Sequence, residues 1–144
     1  SKDNPFNDHS VCLTALVAGA RVHVLDVFRA RLQFNPLKEK VIALARLHRA
    51  SVMLVEDASS GTALIQTLRS EEPRGVPTPI ARRPEGDKIA RVMNVSAMIQ
   101  SGRLFLPTAA HWLGEFTSEI LGFPSSRHDD QVDALSQLLV WVQE

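Results

Sequence analysis

A short acidic segment near the end of the chain combines residue types that bind divalent metals. Residues 128–133 read His-Asp-Asp-Gln-Val-Asp and stand directly before an apolar pattern with helical spacing. A helix cap at Ser126 would place Asp129 and Asp133 one turn apart on one face. Asp130 is also spaced as a neighbour of Asp133, and carboxylates this close repel unless a cation or the helix dipole offsets their charge. The segment therefore indicates either a metal site or an acidic first turn, which is common in helices.

A second carboxylate, Glu56, stands at the end of the clearest strand in the sequence. Residues 50–55 form a short apolar run, and the small residues 58–61 open a helix after Asp57. In an open α/β sheet, groups at the carboxyl ends of strands face the ligand crevice. Glu56 is thus placed for chemistry, whereas Asp57 is better explained as a boundary or cap residue. Taken alone, Glu56 is compatible with a catalytic and with a structural role.

Alternating helices and strands are predicted to position these acids. The predicted strands are 11–17 and 22–28, which form a hairpin, then 50–55, a short strand around Ile80, and 103–106. The predicted helices are 36–48, 61–70, 87–101, 110–121 and 129–142. Asn35 is expected to cap the first helix, Asp87 to open the third and Gly102 to end it. This order predicts an α/β fold with a mixed sheet and helices on both faces.

The composition limits the class of protein. The 144 residues, 44% hydrophobic and 22% charged, suit one globular domain over residues 1–144. Lys plus Arg balances Asp plus Glu at 16 each, so nucleic acid must be held by local patches or metals rather than by bulk charge. The single Cys12 excludes an internal disulfide, and no apolar run approaches the roughly 20 residues of a membrane span. We expect a cytoplasmic protein with no membrane partner.

Four motifs, in this order along the chain, carry a family resemblance. They are VEDASSG at 55–61, GDKIAR at 86–91, GRLFLP at 102–107 and HDDQVDA at 128–134. Together they resemble the C-terminal nuclease domain of phage terminase large subunits. The resemblance implies an RNase H-like fold and a DNA endonuclease that cuts concatemeric phage DNA during genome packaging in the host bacterial cytoplasm. It also implies double-stranded DNA as substrate, and the portal and small terminase subunit as partners of the full-length protein.

The resemblance also implies a site that holds two Mg²⁺ or Mn²⁺ ions. Carried over onto this sequence, it assigns Glu56 as the strand-end ligand and Asp130 as the helix ligand. Asp129 and Asp133 are further candidates, and His128 is either an auxiliary ligand or a surface histidine without a role. Hard cations prefer oxygen ligands, and a metal pair about 4 Å apart can stabilise both the attacking and the leaving oxygen. We therefore predict Glu56 and Asp130 as catalytic residues of phosphodiester hydrolysis.

Basic residues supply the predicted DNA contacts. Lys88 and Arg91 lie one turn apart at the start of a helix, where the resemblance places a basic pair near the active site. Arg82 and Arg83 could also touch backbone phosphates. A solvated helical face explains Lys88 and Arg91 equally well.

One metal-binding Asp of the family has no clear counterpart here. The family places it at the end of a first strand, just upstream of a loop like residues 1–5. Residues 1–9 are polar and contain Pro5, which is unfavourable in a central strand. We expect the chain to begin just after that strand, within a longer protein with an upstream ATPase domain, so that it lacks one ligand and could be inactive alone. Asp3 or Asp8 is the alternative source of the acid.

Two other functions are compatible with the same residues. Another RNase H-like nuclease, such as a junction resolvase, would be expected to have a more basic surface than a net charge of zero gives. A non-catalytic module that docks on DNA or the portal would use its acids only as helix caps.

Overall fold

A computed structural model describes residues 9–83 and 87–144. In chain order the elements are β1 (Ser10–Ala18), β2 (Arg21–Ala30), α1 (Phe34–Leu47), β3 (Met53–Glu56), α2 (Ser60–Glu71), β4 (Pro79–Arg82), α3 (Lys88–Gln100), β5 (Leu104–Phe105), α4 (Leu113–Gly122) and α5 (Asp130–Gln143). The mixed α/β class is as predicted, with a mixed sheet made of a hairpin and a parallel strand. None of the helices in the described ranges is long and apolar enough to cross a membrane.

The described chain forms two compact units, and the first is built on α1, β3, α2 and β4. Strands β3 and β4 pair in parallel, in a register that runs from Met53 opposite Pro79 to Glu56 opposite Arg82. Helix α2 packs on both strands, and α1 packs on α2. The buried apolar residues of this unit are Leu37, Ala45, Leu64, Ile65, Leu68 and Pro79. Because the strands are parallel, their carboxyl ends bring Glu56 and Arg82 to the same edge.

The second unit contains β1, β2, α3, β5, α4 and α5. Gly19, with φ of 61°, turns the hairpin, and β5 pairs in parallel with β2. Helix α5 packs against α3 and α4. The buried core of this unit comprises Val22, Val24, Val27, Val95, Met98, Trp112, Phe116, Leu135 and Leu139. The apolar stripe of α5 is therefore fixed against the other helices, and its first turn carries the acidic segment.

The predicted cap of the first helix is wrong, and the cap considered for the last helix does not form. Helix α1 begins at Phe34 with Gln33 in the cap position, so Pro36 lies at the third helical residue rather than the first. Proline is tolerated there because amides of the first turn have no partner within the helix. Ser126 does not cap α5; its hydroxyl donates to the carbonyl oxygen of His128 at 3.0 Å.

The start of α3 is capped by Asp87, as predicted, through Oδ1, which accepts a hydrogen bond from the Ala90 amide at 2.9 Å. Asp87→Ala removes this acceptor and should lower the free energy of unfolding by about 1 kcal/mol. Urea denaturation measures the change, with Asp87→Asn as the control because Asn keeps a side-chain oxygen. An alanine variant as stable as the wild type would show that the cap contributes nothing.

Candidate metal centre

Glu56 ends β3, and a tight turn connects it to α2. The Glu56 carbonyl oxygen accepts a hydrogen bond from the Ala58 amide at 2.9 Å. Ser59 follows with φ of 54°, a left-handed conformation that costs a non-glycine residue strain energy. A side chain at Gly61 would overlap the Glu56 carbonyl oxygen, so only glycine allows this approach of helix to strand. The turn therefore fixes the backbone that carries the exposed Glu56 side chain.

Asp57 has a structural role in the same turn. Its Oδ1 accepts a hydrogen bond from the Thr62 hydroxyl at 2.8 Å, and its amide donates to the Arg82 carbonyl oxygen at 2.7 Å. It was predicted to be a boundary or cap residue, and its side chain contacts a helix hydroxyl rather than a helix amide. Arg82 ends β4 and Arg83 follows it, exposed. The strand ends of this unit thus carry one candidate metal ligand and two candidate phosphate contacts.

The acidic segment forms the start of α5. Asp130 is the first helical residue and Asp129 occupies the cap position, where its carbonyl accepts from the Asp133 amide at 2.9 Å. His128 is exposed and Asp130 is half-buried. Their potential ligand atoms, an imidazole nitrogen and a carboxylate oxygen, lie within 4.8 Å of one another. The fold thus brings together two of the predicted metal ligands.

Two arginines lie against the carboxylates of α5. Arg29 Nη2 is 3.8 Å from Asp130 Oδ2, and Arg91 Nε is 3.8 Å from Asp133 Oδ1. These side chains are partly exposed, so each pair contributes no more than about 1 kcal/mol to stability. Their charges do offset the repulsion among the acids, as a cation would. Arg91, a predicted DNA contact, is thus near the acidic turn, whereas the side chain of Lys88 lies outside the described residues.

Arg29 was not identified from the sequence. In β2 the buried positions are Val22, Val24 and Val27. The first two are two residues apart and the last is three residues further, so the alternation of buried and exposed positions shifts by one residue within the strand. Arg29 is in phase with Val27 and therefore belongs to the inward-facing set. The spacing of the valines was the available signal, but it does not specify a partner on α5.

Glu119 was also missed, and it supplies the side-chain cap that Ser126 and Asp129 do not. It lies on α4 and is 6% exposed. Its carboxylate accepts hydrogen bonds from the Val132 amide at 2.8 Å and from Gln131 Nε2 at 2.9 Å. No local pattern could reveal it, because sequence capping rules consider only residues within one turn of the helix start.

The donors at the start of α5 fit a hard divalent cation. Carboxylate oxygens are the ligands that Mg²⁺ prefers, and Mn²⁺ accepts these as well as imidazole. Among the predicted ligands at this helix start, Asp130 offers carboxylate oxygens and His128 an imidazole nitrogen close to each other, whereas no candidate metal-binding group in the described ranges includes Asp129 or Asp133. Asp3 and Asp8, the alternatives for the remaining family acid, lie outside the described residues.

A profile of the terminase RNase H-like domain matches residues 4–141. No curated protein matches the chain significantly. The family match covers nearly the whole sequence, including all four motifs, and the mixed α/β architecture is consistent with it. The chain therefore belongs to the terminase RNase H-like domain family.

Proposed function

We propose that the protein is a metal-dependent endonuclease of phage DNA packaging, which hydrolyses phosphodiester bonds of concatemeric double-stranded DNA. The observation that carries the proposal is the close approach of His128 and Asp130 at the start of α5, in a chain of this family. Family membership supports nuclease chemistry, and the Asp130 carboxylate supplies the oxygen donors that Mg²⁺ and Mn²⁺ prefer. The same proposal includes the portal and the small terminase subunit as partners, the host cytoplasm as the location, and one nuclease domain over residues 1–144.

Glu56 and Asp130 are the proposed principal ligands, with Asp129, Asp133 and His128 as further donors. Two bound ions would activate a water molecule and stabilise the leaving oxygen of the cut strand. The protein contributes by holding its carboxylates in place before DNA arrives. Glu56 is fixed by the turn around Gly61, and Asp130 is fixed in the first helical turn of α5.

The proposed DNA contacts are Arg82, Arg83, Lys88 and Arg91. Arg82 and Arg83 extend from the same strand edge as Glu56, and Arg91 lies beside Asp133. Contacts of this kind position the phosphate backbone and carry no sequence information. Because the chain has no net charge, we expect DNA binding to depend on these local cations and to weaken steeply with added salt.

Plasmid cleavage tests the proposed function. Supercoiled DNA should be cut with Mn²⁺ or Mg²⁺, remain intact with EDTA, and be cut less by Glu56→Gln, which loses one ligand charge. Glu115→Gln is the matched control because Glu115 is an exposed acid on α4. The assay also includes a version of the protein extended upstream of Ser1, which tests whether residues there supply the family acid that has no clear counterpart in this sequence. Absence of cleavage in both forms with either metal would overturn the proposal.

The arginine pairs of α5 favour a second candidate, a non-catalytic docking module. Asp130 and Asp133 each have an arginine nearby, so their charges have a structural explanation without a metal. Such a module would bind DNA or the portal and would not cut DNA under any metal condition. DNA binding that persists in a chain without nuclease activity would support it.

A further inference from the structure

The first turn of α5 is held by a buried carboxylate from another helix. Val132 is the third residue of α5, and its amide has no partner within the helix. Glu119 accepts this amide at 2.8 Å, and its other carboxylate oxygen accepts Gln131 Nε2 at 2.9 Å. Gln131 is 3% exposed and Glu119 is 6% exposed. The contact is therefore a buried, charge-assisted cap at a helix N-terminus, where negative charge is favoured.

We propose that Glu119 is a positioning residue for the metal-binding carboxylates of α5, a role that rests on the proposed function. Asp130 directly precedes the two residues that Glu119 holds, and Asp133 directly follows them. A change in the first turn would therefore move both carboxylates. Both oxygens of Glu119 already accept hydrogen bonds from protein groups, so Glu119 acts through the helix rather than as a ligand.

The connection between α4 and α5 is tied to the same contact. The Ser126 hydroxyl donates to the carbonyl oxygen of His128 at 3.0 Å and lies 3.5 Å from that of Glu119. Through the Ser126 hydroxyl, the connection from Glu119 to Asp130 is thus held near Glu119 and at His128. Metal sites depend on residues that do not contact the metal but fix the orientation of the ligands. Losing one such residue weakens metal binding by about 10- to 100-fold. We expect Glu119 to act in this way.

Substitutions at Glu119 separate positioning from overall stability. Glu119→Met keeps a side chain of similar length but removes both acceptors, which leaves the Val132 amide and the Gln131 amide group buried without them. Glu119→Asp keeps the charge, but its side chain is one methylene shorter and cannot reach both partners. In the double variant Glu119→Gln/Gln131→Glu, the new amide can accept from Val132 and donate to the new carboxylate, so both hydrogen bonds are restored. Glu115→Met, at an exposed acid one turn before Glu119 on α4, is the matched control.

Two measurements decide the role of Glu119. Amide hydrogen exchange at Val132 reports the cap, and a Mn²⁺ titration reports the carboxylates. We expect Glu119→Met to lose protection at Val132 and to bind Mn²⁺ about tenfold more weakly. The double variant should recover both properties, and Glu115→Met should change neither. If Glu119→Met does not fold, Glu119→Asp decides, with weaker Mn²⁺ binding than in the wild type as the supporting result.

Failure of this proposal is distinguishable from failure of the proposed function. If the wild type binds Mn²⁺ and folded Glu119 variants bind it equally well, Glu119 has no positioning role and the nuclease assignment stands. A double variant that folds but binds as weakly as Glu119→Met would also overturn the role, because its hydrogen bonds are restored. A wild type that neither binds Mn²⁺ nor cuts DNA would overturn the proposed function, and the role of Glu119 with it.

Discussion

Asp130→Asn should lower metal-dependent DNA cleavage about 10²- to 10³-fold, the usual effect of removing one group that stabilises charge in a transition state. Asparagine keeps the size of the side chain and one oxygen, but it removes the negative charge that a divalent cation needs. The substitution should leave the fold intact, because Asp130 is half-buried and its 3.8 Å pair with Arg29 contributes at most about 1 kcal/mol.

The rate of plasmid nicking at saturating Mn²⁺ measures this effect, and circular dichroism monitors the fold. Asp130→Asn should also need more Mn²⁺ for half-maximal activity, which a residue without ligand function would not cause. Glu115→Gln, an exposed acid on α4, should behave as the wild type. A folded Asp130→Asn protein that cuts at the wild-type rate would remove Asp130 from the site and shift the assignment to Asp129 or Asp133.

Features specified by neighbouring residues could be predicted from the sequence. Asp87 caps α3, Gly102 follows its last turn with φ of 72°, and Glu56 ends β3 as expected. Each depends on a pattern only a few residues long, so local chemistry decides it. The grouping of His128 with Asp130 is of the same kind, because one helix start brings both together.

Contacts between distant segments could not be predicted. The cap on α5 comes from Glu119, 13 residues before Val132, and the cation beside Asp130 comes from Arg29 on β2. A serine near a helix start satisfies the statistical preference for caps, yet Ser126 donates to a loop carbonyl. Once α4 packs against α5, the buried carboxylate of Glu119 accepts from the Val132 amide in the first turn of α5. Tertiary packing thus replaced the local cap, and the sequence contains no short-range signal for that exchange.

The largest effect on stability is expected from a substitution in the turn after β3. Gly61→Ala should lower the free energy of unfolding by about 2 to 3 kcal/mol, as expected for overpacking. The added Cβ overlaps the carbonyl oxygen of Glu56 and lies 3.2 Å from its carbonyl carbon, so backbone rather than a flexible side chain must move. Such a shift would disturb the Asp57 contacts to Thr62 and Arg82, which hold the turn. Glu56 would move with it, and DNA cleavage should fall even at temperatures where the variant is folded.

Gly114→Ala is the matched control for this substitution. Gly114 lies in α4 with open space around its Cα, so alanine should leave stability unchanged or raise it by up to about 1 kcal/mol through helix propensity. Urea denaturation gives the free energies, and plasmid nicking below both unfolding transitions gives the activity. If Gly61→Ala were as stable and active as Gly114→Ala, the turn would be able to relax around a side chain. The close contact between α2 and the end of β3 would then not determine where Glu56 lies.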